Sequence, residues 1–138
     1  MNGKKLHYIV FDSWAVLAYL QGEPSSEKIG SLISEAQQGK QKILMSIINL
    51  GEVWYIIARE ISEEEADSAI NTIVKWGIEI RDADWQVVKE ASRFKSKNRI
   101  SYADSFAAAL AKMTDGELVT GDREFKALES EIQINWLK

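Results

Sequence analysis

The sequence predicts an α/β fold in which a parallel sheet lies between layers of helices. Short apolar runs alternate with longer segments of helical periodicity along the whole chain. The first run, 8–11 (YIVF), is apolar at every position, as expected for a strand buried on both faces. Strands that alternate with helices are joined by right-handed crossovers, which place helices on both faces of the sheet.

Two helices are predicted after the first strand. One runs from about Trp14 to Gln21, and Pro24 suits the first turn of the next because its φ angle is already helical. Gly39 suits the C-terminal cap of this second helix. Its buried face has the i, i+3, i+4, i+7 spacing, formed by Ile29, Leu32, Ile33 and Ala36.

The second strand, 42–45 (KILM), is also followed by two predicted helices. The first of them runs from about Leu50 to Arg59. Ser62 and Glu65 have the spacing of a capping box, in which two side chains satisfy the free amides at a helix start, and Gly77 ends the helix that they begin.

The third strand covers 78–81, and Asp84 is placed to cap the helix after it. Residues 95–99 (KSKNR) are predicted to form a basic loop. An alanine-rich helix, 101–113, then leads to a turn at Asp115-Gly116.

The chain ends with a fourth strand at 117–120, a short helix at 123–128 and a last strand at 131–137. Apolar and polar residues alternate in the last strand, which predicts a half-buried strand at the edge of the sheet. In sheets of this kind, ligands bind beyond the carboxyl ends of the strands, where the strand order reverses.

Composition limits the class of protein. The 138 residues are the size of one domain, 1–138, and 46% hydrophobic and 28% charged residues are ordinary globular values. The absence of cysteine excludes disulfides and thiolate metal sites, and the single histidine, His7, argues against zinc. The longest apolar stretch, 47–58, is too short to span a membrane, and the N-terminus lacks the pattern of a signal peptide. We expect a cytoplasmic protein.

The net charge of −4 argues against a general nucleic-acid-binding protein. That argument weakens if several of the acidic residues bind metal, because bound cations would reverse the local field.

Four acidic residues occupy comparable positions in the predicted fold. Asp12 directly follows the first strand, and Asp122 follows the fourth. Glu52 and Asp104 lie in the first turns of two predicted helices. Because the carboxyl ends of parallel strands meet at one edge of a sheet, the four side chains are expected to converge there.

Helix capping is an alternative explanation for each acid taken alone. Residues 49–52 (NLGE) and 101–104 (SYAD) have the spacing of capping boxes, and Asp12 and Asp122 suit simple N-caps. Acids at helix starts each gain roughly 0.3–1 kcal/mol from the helix dipole. No single acid therefore identifies a catalytic site.

Two features of the set are not explained by capping. Gly51 is costly in a helix unless another group approaches it closely. Asp104 is carried inward by an apolar helix face, formed by Tyr102, Ala103, Phe106, Ala107 and Leu110. A buried carboxylate without a cation is expensive, and a divalent metal ion is its simplest partner. The set of acids therefore predicts a metal site.

The segments around these acids carry a family resemblance. They are 10–13 (VFDS), 46–52 (SIINLGE), 101–109 (SYADSFAAA) and 119–125 (VTGDREF). In this order and spacing the chain resembles the PIN-domain family, and more closely the VapC-type toxins of prokaryotic toxin–antitoxin pairs, essentially from end to end. Asn49 stands where many relatives have threonine or serine, and since asparagine also caps helices we expect little effect.

The resemblance implies a three-layer sandwich around a five-stranded parallel sheet of order 3-2-1-4-5. It also implies an endoribonuclease that uses one or two Mg²⁺ or Mn²⁺ ions and is the toxin of a type II toxin–antitoxin pair. We expect Asp12, Asp104 and Asp122 to be metal ligands, and Glu52 either to bind metal or to orient water. Glu124 is expected to belong to a solvated helix face rather than to the site.

An RNA substrate requires positive charge near the acids. Arg99 and Arg123 are predicted to bind its phosphates, whereas Lys95 and Lys97 fit a solvated loop equally well. The resemblance further implies a homodimer and a small antitoxin that occludes the acidic pocket.

Two other classes of protein with an acidic pocket on such a sheet do not fit this sequence. A phospho-acceptor receiver domain requires paired acids after the first strand, where this chain has a single acid, Asp12. An Asp-x-Asp phosphatase requires a second acid at the position that Trp14 occupies. An inactive PIN-like scaffold that binds RNA or protein remains the alternative. The presence of all four acids argues against it.

Overall fold

A computed structural model describes residues 7–137 of the chain. A five-stranded, entirely parallel sheet lies at its centre, with the strand order β3-β2-β1-β4-β5. The strands are β1 (His7–Phe11), β2 (Gln41–Ser46), β3 (Glu79–Arg81), β4 (Glu117–Thr120) and β5 (Gln133–Trp136). The predicted fold class and the strand order 3-2-1-4-5 are confirmed.

Helices connect consecutive strands, as parallel pairing requires. Those described are α1 (Ser13–Leu20), α2 (Ser26–Gln37), α3 (Ile47–Glu60), α4 (Glu63–Lys75), α5 (Trp85–Lys97), α6 (Tyr102–Thr114) and a 3₁₀ helix (Arg123–Leu128). No helix in the described part of the chain is long and apolar enough to cross a membrane.

The alternation of side chains along β1 divides the core into two layers. Ile9 and Phe11 pack with buried residues of α1, α2, α3 and α4. Val10, between them, faces the opposite side and packs with α5, α6 and the 3₁₀ helix. All three side chains are almost completely buried, which confirms that the first strand is covered on both faces.

Helix α3 begins three residues earlier than predicted. The hydroxyl of Ser46, the last residue of β2, accepts a hydrogen bond from the amide of Ile48 at 3.2 Å and caps the helix. The β-branched pair Ile47-Ile48 resembles a continuation of the strand, so the sequence does not show that the strand ends at Ser46.

The basic segment 95–99, predicted to form a loop, is helical as far as Lys97. Lys95 and Lys97 lie in the last turn of α5, where positive charge is favourable beside the free carbonyl groups. The side-chain amide of Asn98 donates to the carbonyl of Phe94 at 2.9 Å and closes the helix. Pro24, predicted in the first turn of α2, instead lies in the turn before that helix.

The buried face of α6 offers a direct test of the packing. Ala108 is completely buried between the helix and the sheet, so Ala108→Leu should destabilise the protein by about 1–3 kcal/mol through overpacking. The control is Lys112→Leu, in the last turn of the same helix, where the side chain is exposed, which should change stability by less than about 0.5 kcal/mol. Urea unfolding measures both, and equal effects would contradict the burial of Ala108.

Candidate active site

Two of the acids lie where the strand order of the sheet reverses. β1 and β4 are neighbours although they are not consecutive in the chain, and Phe11 is paired with Val119. Asp12 follows β1 directly, and Asp122 follows β4 two residues after its end. The parallel register therefore brings both acids to the carboxyl edge of the sheet, at the reversal point.

The buried hydroxyl of Thr120 connects these two strand ends. It donates a hydrogen bond to Oδ2 of Asp12 and accepts one from the amide of Asp122 at 3.0 Å. Asp12 is thus linked to the backbone that carries Asp122. The sequence signal for this contact is a threonine at the end of β4, which hydrophobic periodicity does not distinguish from other strand residues.

Asp12 caps a helix and also belongs to the acid group. Its Oδ1 accepts a hydrogen bond from the amide of Ala15 at 2.9 Å and caps α1. Its carboxylate is almost fully buried. The capping and site explanations for this residue are therefore compatible.

Asp104 is buried in the first turn of α6, as predicted. Ser101 caps the helix by accepting a hydrogen bond from the amide of Asp104 at 3.0 Å. The second half of a capping box is supplied by a different residue, because the amide of Ser101 donates to Oε1 of Glu124 at 3.4 Å. The carboxylate of Asp104 is therefore not used by the cap.

Capping, the alternative explanation for Asn49 and Glu52, does not hold, since Ser46 caps α3. Asn49 is fully buried, and its Nδ2 donates to the carbonyl of Ala103 at 3.0 Å, which ties α3 to the residue before Asp104. Its Oδ1 has no hydrogen-bond partner among the described residues.

Glu52 lies in the second turn of α3 rather than the first. Its Oε1 accepts a hydrogen bond from the hydroxyl of Ser13 at 2.6 Å, which connects it to the residue next to Asp12. The neighbouring Gly51 was expected to admit a close contact, but nothing in the described structure lies within 4 Å of a Cβ built there. That expectation is wrong for the isolated chain.

Glu124 joins the acids although it was predicted to face solvent. One carboxylate oxygen each from Asp104, Asp122 and Glu124 lies within 4.8 Å of the other two. Asp122 caps the 3₁₀ helix by accepting from the amide of Glu124 at 3.0 Å, so the start of this short helix brings Glu124 to Asp104. Glu124 is exposed, as predicted, yet the 3₁₀ start also gives it a place in the cluster.

The group carries uncompensated negative charge. No lysine or arginine within residues 7–137 forms an ion pair with Asp12, Glu52, Asp104, Asp122 or Glu124. Burial and the nearby carboxylates of Asp122 and Asp12 raise the pKa of Asp104 to about 8. Burial, with smaller contributions from Asp122 and Glu52, raises the pKa of Asp12 to about 7 against the opposing hydrogen bonds.

This arrangement fits a hard divalent cation. The ligands offered are carboxylate oxygens, which Mg²⁺ prefers, and three of them already lie close together. A cation would remove the repulsion that raises the pKa of Asp104, and no side chain within residues 7–137 supplies that charge through an ion pair. Asp104, Asp122 and Glu124 could hold the ion, with Asp12 beside them.

The predicted cationic residues lie in different surroundings. Arg123 directly follows Asp122 at the start of the 3₁₀ helix, and Arg99 lies in the segment between α5 and α6; both are exposed. Lys95 is bound to the carbonyl of Ile100 at 2.7 Å. His7 is exposed at the amino end of β1, at the end of the sheet away from Asp12, as predicted.

Solved structures with the same architecture come from toxin–antitoxin complexes. A VapBC2 structure from Rickettsia felis, bound to a promoter DNA fragment, matches with a TM-score of 0.75 and 17% identity over 95% of this chain and 99% of that chain. A DNA-bound VapBC from Salmonella typhimurium has a TM-score of 0.71 and 16% identity, over 95% and 98%. At these identities the similarity shows the shared fold alone.

A third structure is VapC20 of Mycobacterium tuberculosis, described as a Sarcin-Ricin loop cleaving toxin. Its TM-score is 0.65 with 14% identity, over 86% of this chain and 93% of that chain. No curated protein matches the chain in sequence. Residues 9–131 match the family model of the PIN domain, which confirms the resemblance seen in the sequence. The chain belongs to the PIN-domain family.

Proposed function

We propose that the chain is a metal-dependent endoribonuclease and the toxin of a type II toxin–antitoxin pair. The observation that carries the proposal is the group of carboxylates at the reversal point of the sheet, with three oxygens within 4.8 Å of one another and no paired cation among residues 7–137. The chain's family and the VapBC structures that share its fold support the same function.

Mg²⁺ or Mn²⁺, as one or two ions, is the proposed cofactor. Asp104, Asp122 and Asp12 are its proposed ligands, and Glu124 is added to the predicted set because of its position in the cluster. When bound, such an ion polarises a phosphate oxygen and lowers the pKa of a bound water molecule.

The chain's own residues keep this site in position. The amide of Ala15 and the hydroxyl of Thr120 orient the carboxylate of Asp12. The hydroxyl of Ser13 orients Glu52, which we propose receives the proton of the attacking water or holds that water in line. Each orienting group is itself part of a strand end or helix start, so the carboxylates are fixed before substrate arrives.

RNA is the proposed substrate. Arg123 and Arg99 are exposed on the two segments that also carry Asp122 and Asp104, and we propose that they contact phosphates on either side of the cleaved bond. The choice of RNA is supported by the similarity to a toxin described as cleaving the sarcin–ricin loop.

The proposed partners are a small antitoxin and a second copy of the chain. The antitoxin is supported by the complexes in which the similar structures were solved. A homodimer would cover apolar side chains that α3 leaves exposed, namely Ile47, Ile48 and Tyr55. A cytoplasmic location is proposed with these partners.

Removing one ligand charge should abolish cleavage. Purified protein is incubated with structured RNAs and Mg²⁺ or Mn²⁺, and we expect Asp104→Asn to lower the cleavage rate by more than about 100-fold because ligand loss weakens stabilisation of the phosphate. Excess EDTA should have the same effect on the unmodified protein.

The matched control is Asp115→Asn at the C-terminal end of the same helix. Asp115 is exposed with φ of 54°, a left-handed conformation that asparagine tolerates, so this variant loses the same charge without touching the site. It should cleave normally. Cleavage that survives both EDTA and Asp104→Asn would exclude the metal mechanism, and no cleavage with either metal would favour the inactive scaffold.

The raised pKa values predict a pH-dependent stability of the metal-free protein. The folded state keeps protons on Asp12 and Asp104 up to pH about 7 and about 8, whereas the unfolded chain loses them near 3.8. Stability contributed by these groups is therefore present at low pH and is lost as pH rises through that window. Asp104→Asn, which stays neutral, should have a higher Tm than the unmodified protein at pH 8, with a difference that shrinks towards pH 5.

Thermal unfolding in EDTA from pH 5 to pH 8 measures the difference in Tm between the two proteins, in which pH effects common to both cancel. When Mg²⁺ replaces EDTA, the Tm of the unmodified protein should rise most at the high-pH end, where the ligands are ionised. A difference between the two proteins that is independent of pH would contradict the account.

A further inference from the structure

A groove beside the acids has no part in the proposed cleavage step, although one of its residues, Arg123, is among the proposed phosphate contacts. It has a volume of about 380 Å³ and lies at the carboxyl ends of β4 and β5. We call it the tryptophan groove, lined by Trp14, Gly121, Arg123, Lys126, Glu129 and Trp136. Gly121 and Arg123 flank Asp122 in sequence, so the groove adjoins the backbone that carries this acid.

The groove depends on a close contact between Trp14 and Gly121. A Cβ built on Gly121 would lie 2.4 Å from the indole of Trp14, a separation that atoms do not tolerate. Glycine at this position therefore allows the indole to lie directly against the backbone before Asp122. Trp14 itself is two residues after Asp12, so this wall of the groove is tied to both strand ends of the site.

A second indole lines the same groove. Trp136 is the last residue of β5 and is half-buried. Its Nε1 donates to Oε2 of Glu129 at 2.8 Å, which satisfies the only polar group of the side chain and fixes the ring. Aromatic rings held in this way are the platforms on which single-stranded nucleic acids stack their bases.

The charged residues of the groove suit two different parts of an RNA strand, the phosphate backbone and the edge of a base. Arg123 and Lys126 are exposed and form no ion pair within residues 7–137. They are three residues apart on a 3₁₀ helix, which puts them on the same side. The carboxylate of Glu129 repels phosphate but accepts hydrogen bonds, so its part of the groove suits the amino edge of a base, and the two cations suit the backbone.

We propose that the tryptophan groove binds a nucleobase of single-stranded RNA next to the phosphodiester that is cleaved. The base stacks on the indole of Trp136, and Arg123 and Lys126 contact the adjoining phosphates. The inference rests on the proposed ribonuclease function and adds to it a position at which unpaired RNA is recognised. A base-paired strand could not enter, because its bases are already stacked and paired.

Binding of RNA without cleavage tests the groove. The measurement is fluorescence anisotropy of a labelled single-stranded oligoribonucleotide, and of the same strand with abasic sites, on protein carrying Asp104→Asn. Loss of stacking in Trp136→Ala should weaken binding of the intact strand by about 5-fold to 150-fold. Binding of the abasic strand should not change. Trp136→Phe, which keeps an aromatic ring, should recover part of the affinity.

The matched control is Trp85→Ala, which removes a tryptophan that is 69% exposed at the start of α5 and does not line the groove. It should bind both strands as the parent does. Circular dichroism confirms that each variant is folded. Equal weakening of both strands by Trp136→Ala, no weakening of either, or no binding of RNA by the parent would overturn the proposal.

The cleavage assay and this binding assay test the two proposals separately. If the unmodified protein cuts no RNA with either metal, the ribonuclease proposal falls. The groove proposal depends instead on how Trp136→Ala changes the affinity for the intact strand relative to the abasic strand. That affinity is measured on the Asp104→Asn protein, which is expected not to cleave.

Discussion

The hydroxyl of Thr120 is the contact on which the site depends. It joins the carboxylate of Asp12 to the amide of Asp122, across the two strands where the order of the sheet reverses. Without a donor there, Asp12 would be a buried carboxylate held by one amide, next to other carboxylates. The hydrogen bond offsets part of the cost of burial, and it fixes the relative position of the two strand ends.

The same residues serve the fold and the site. Asp12 and Asp122 cap helices through one oxygen, and Ser101 caps α6 so that the carboxylate of Asp104 remains available. Capping interactions stabilise the protein, whereas the crowding of the carboxylates destabilises it and raises the pKa of Asp104. A bound cation would convert that crowding into binding energy. The metal-free protein is therefore destabilised electrostatically at the position where the metal-bound protein is proposed to act.

The sequence predicted the fold and most of the acid group because hydrophobic periodicity and chain order determine where parallel strands end. It did not predict contacts that depend on the exact start of an element. The start of α3 at Ile47 makes Ser46 the cap and leaves Asn49 to bind α6. The 3₁₀ geometry after Asp122 brings Glu124 to Asp104. Neither contact gives a periodic signal in the sequence, since each depends on the geometry of a single turn.

The central claim is that these carboxylates hold a divalent metal ion. Anomalous diffraction from crystals soaked in Mn²⁺ tests it most directly, because the scattering identifies the ion and its ligands without any assay of activity. We expect an anomalous peak bound by carboxylate oxygens of Asp104 and Asp122, which disappears in Asp104→Asn crystals. Manganese bound only elsewhere on the protein, or no peak between these carboxylates at saturating Mn²⁺, would contradict it.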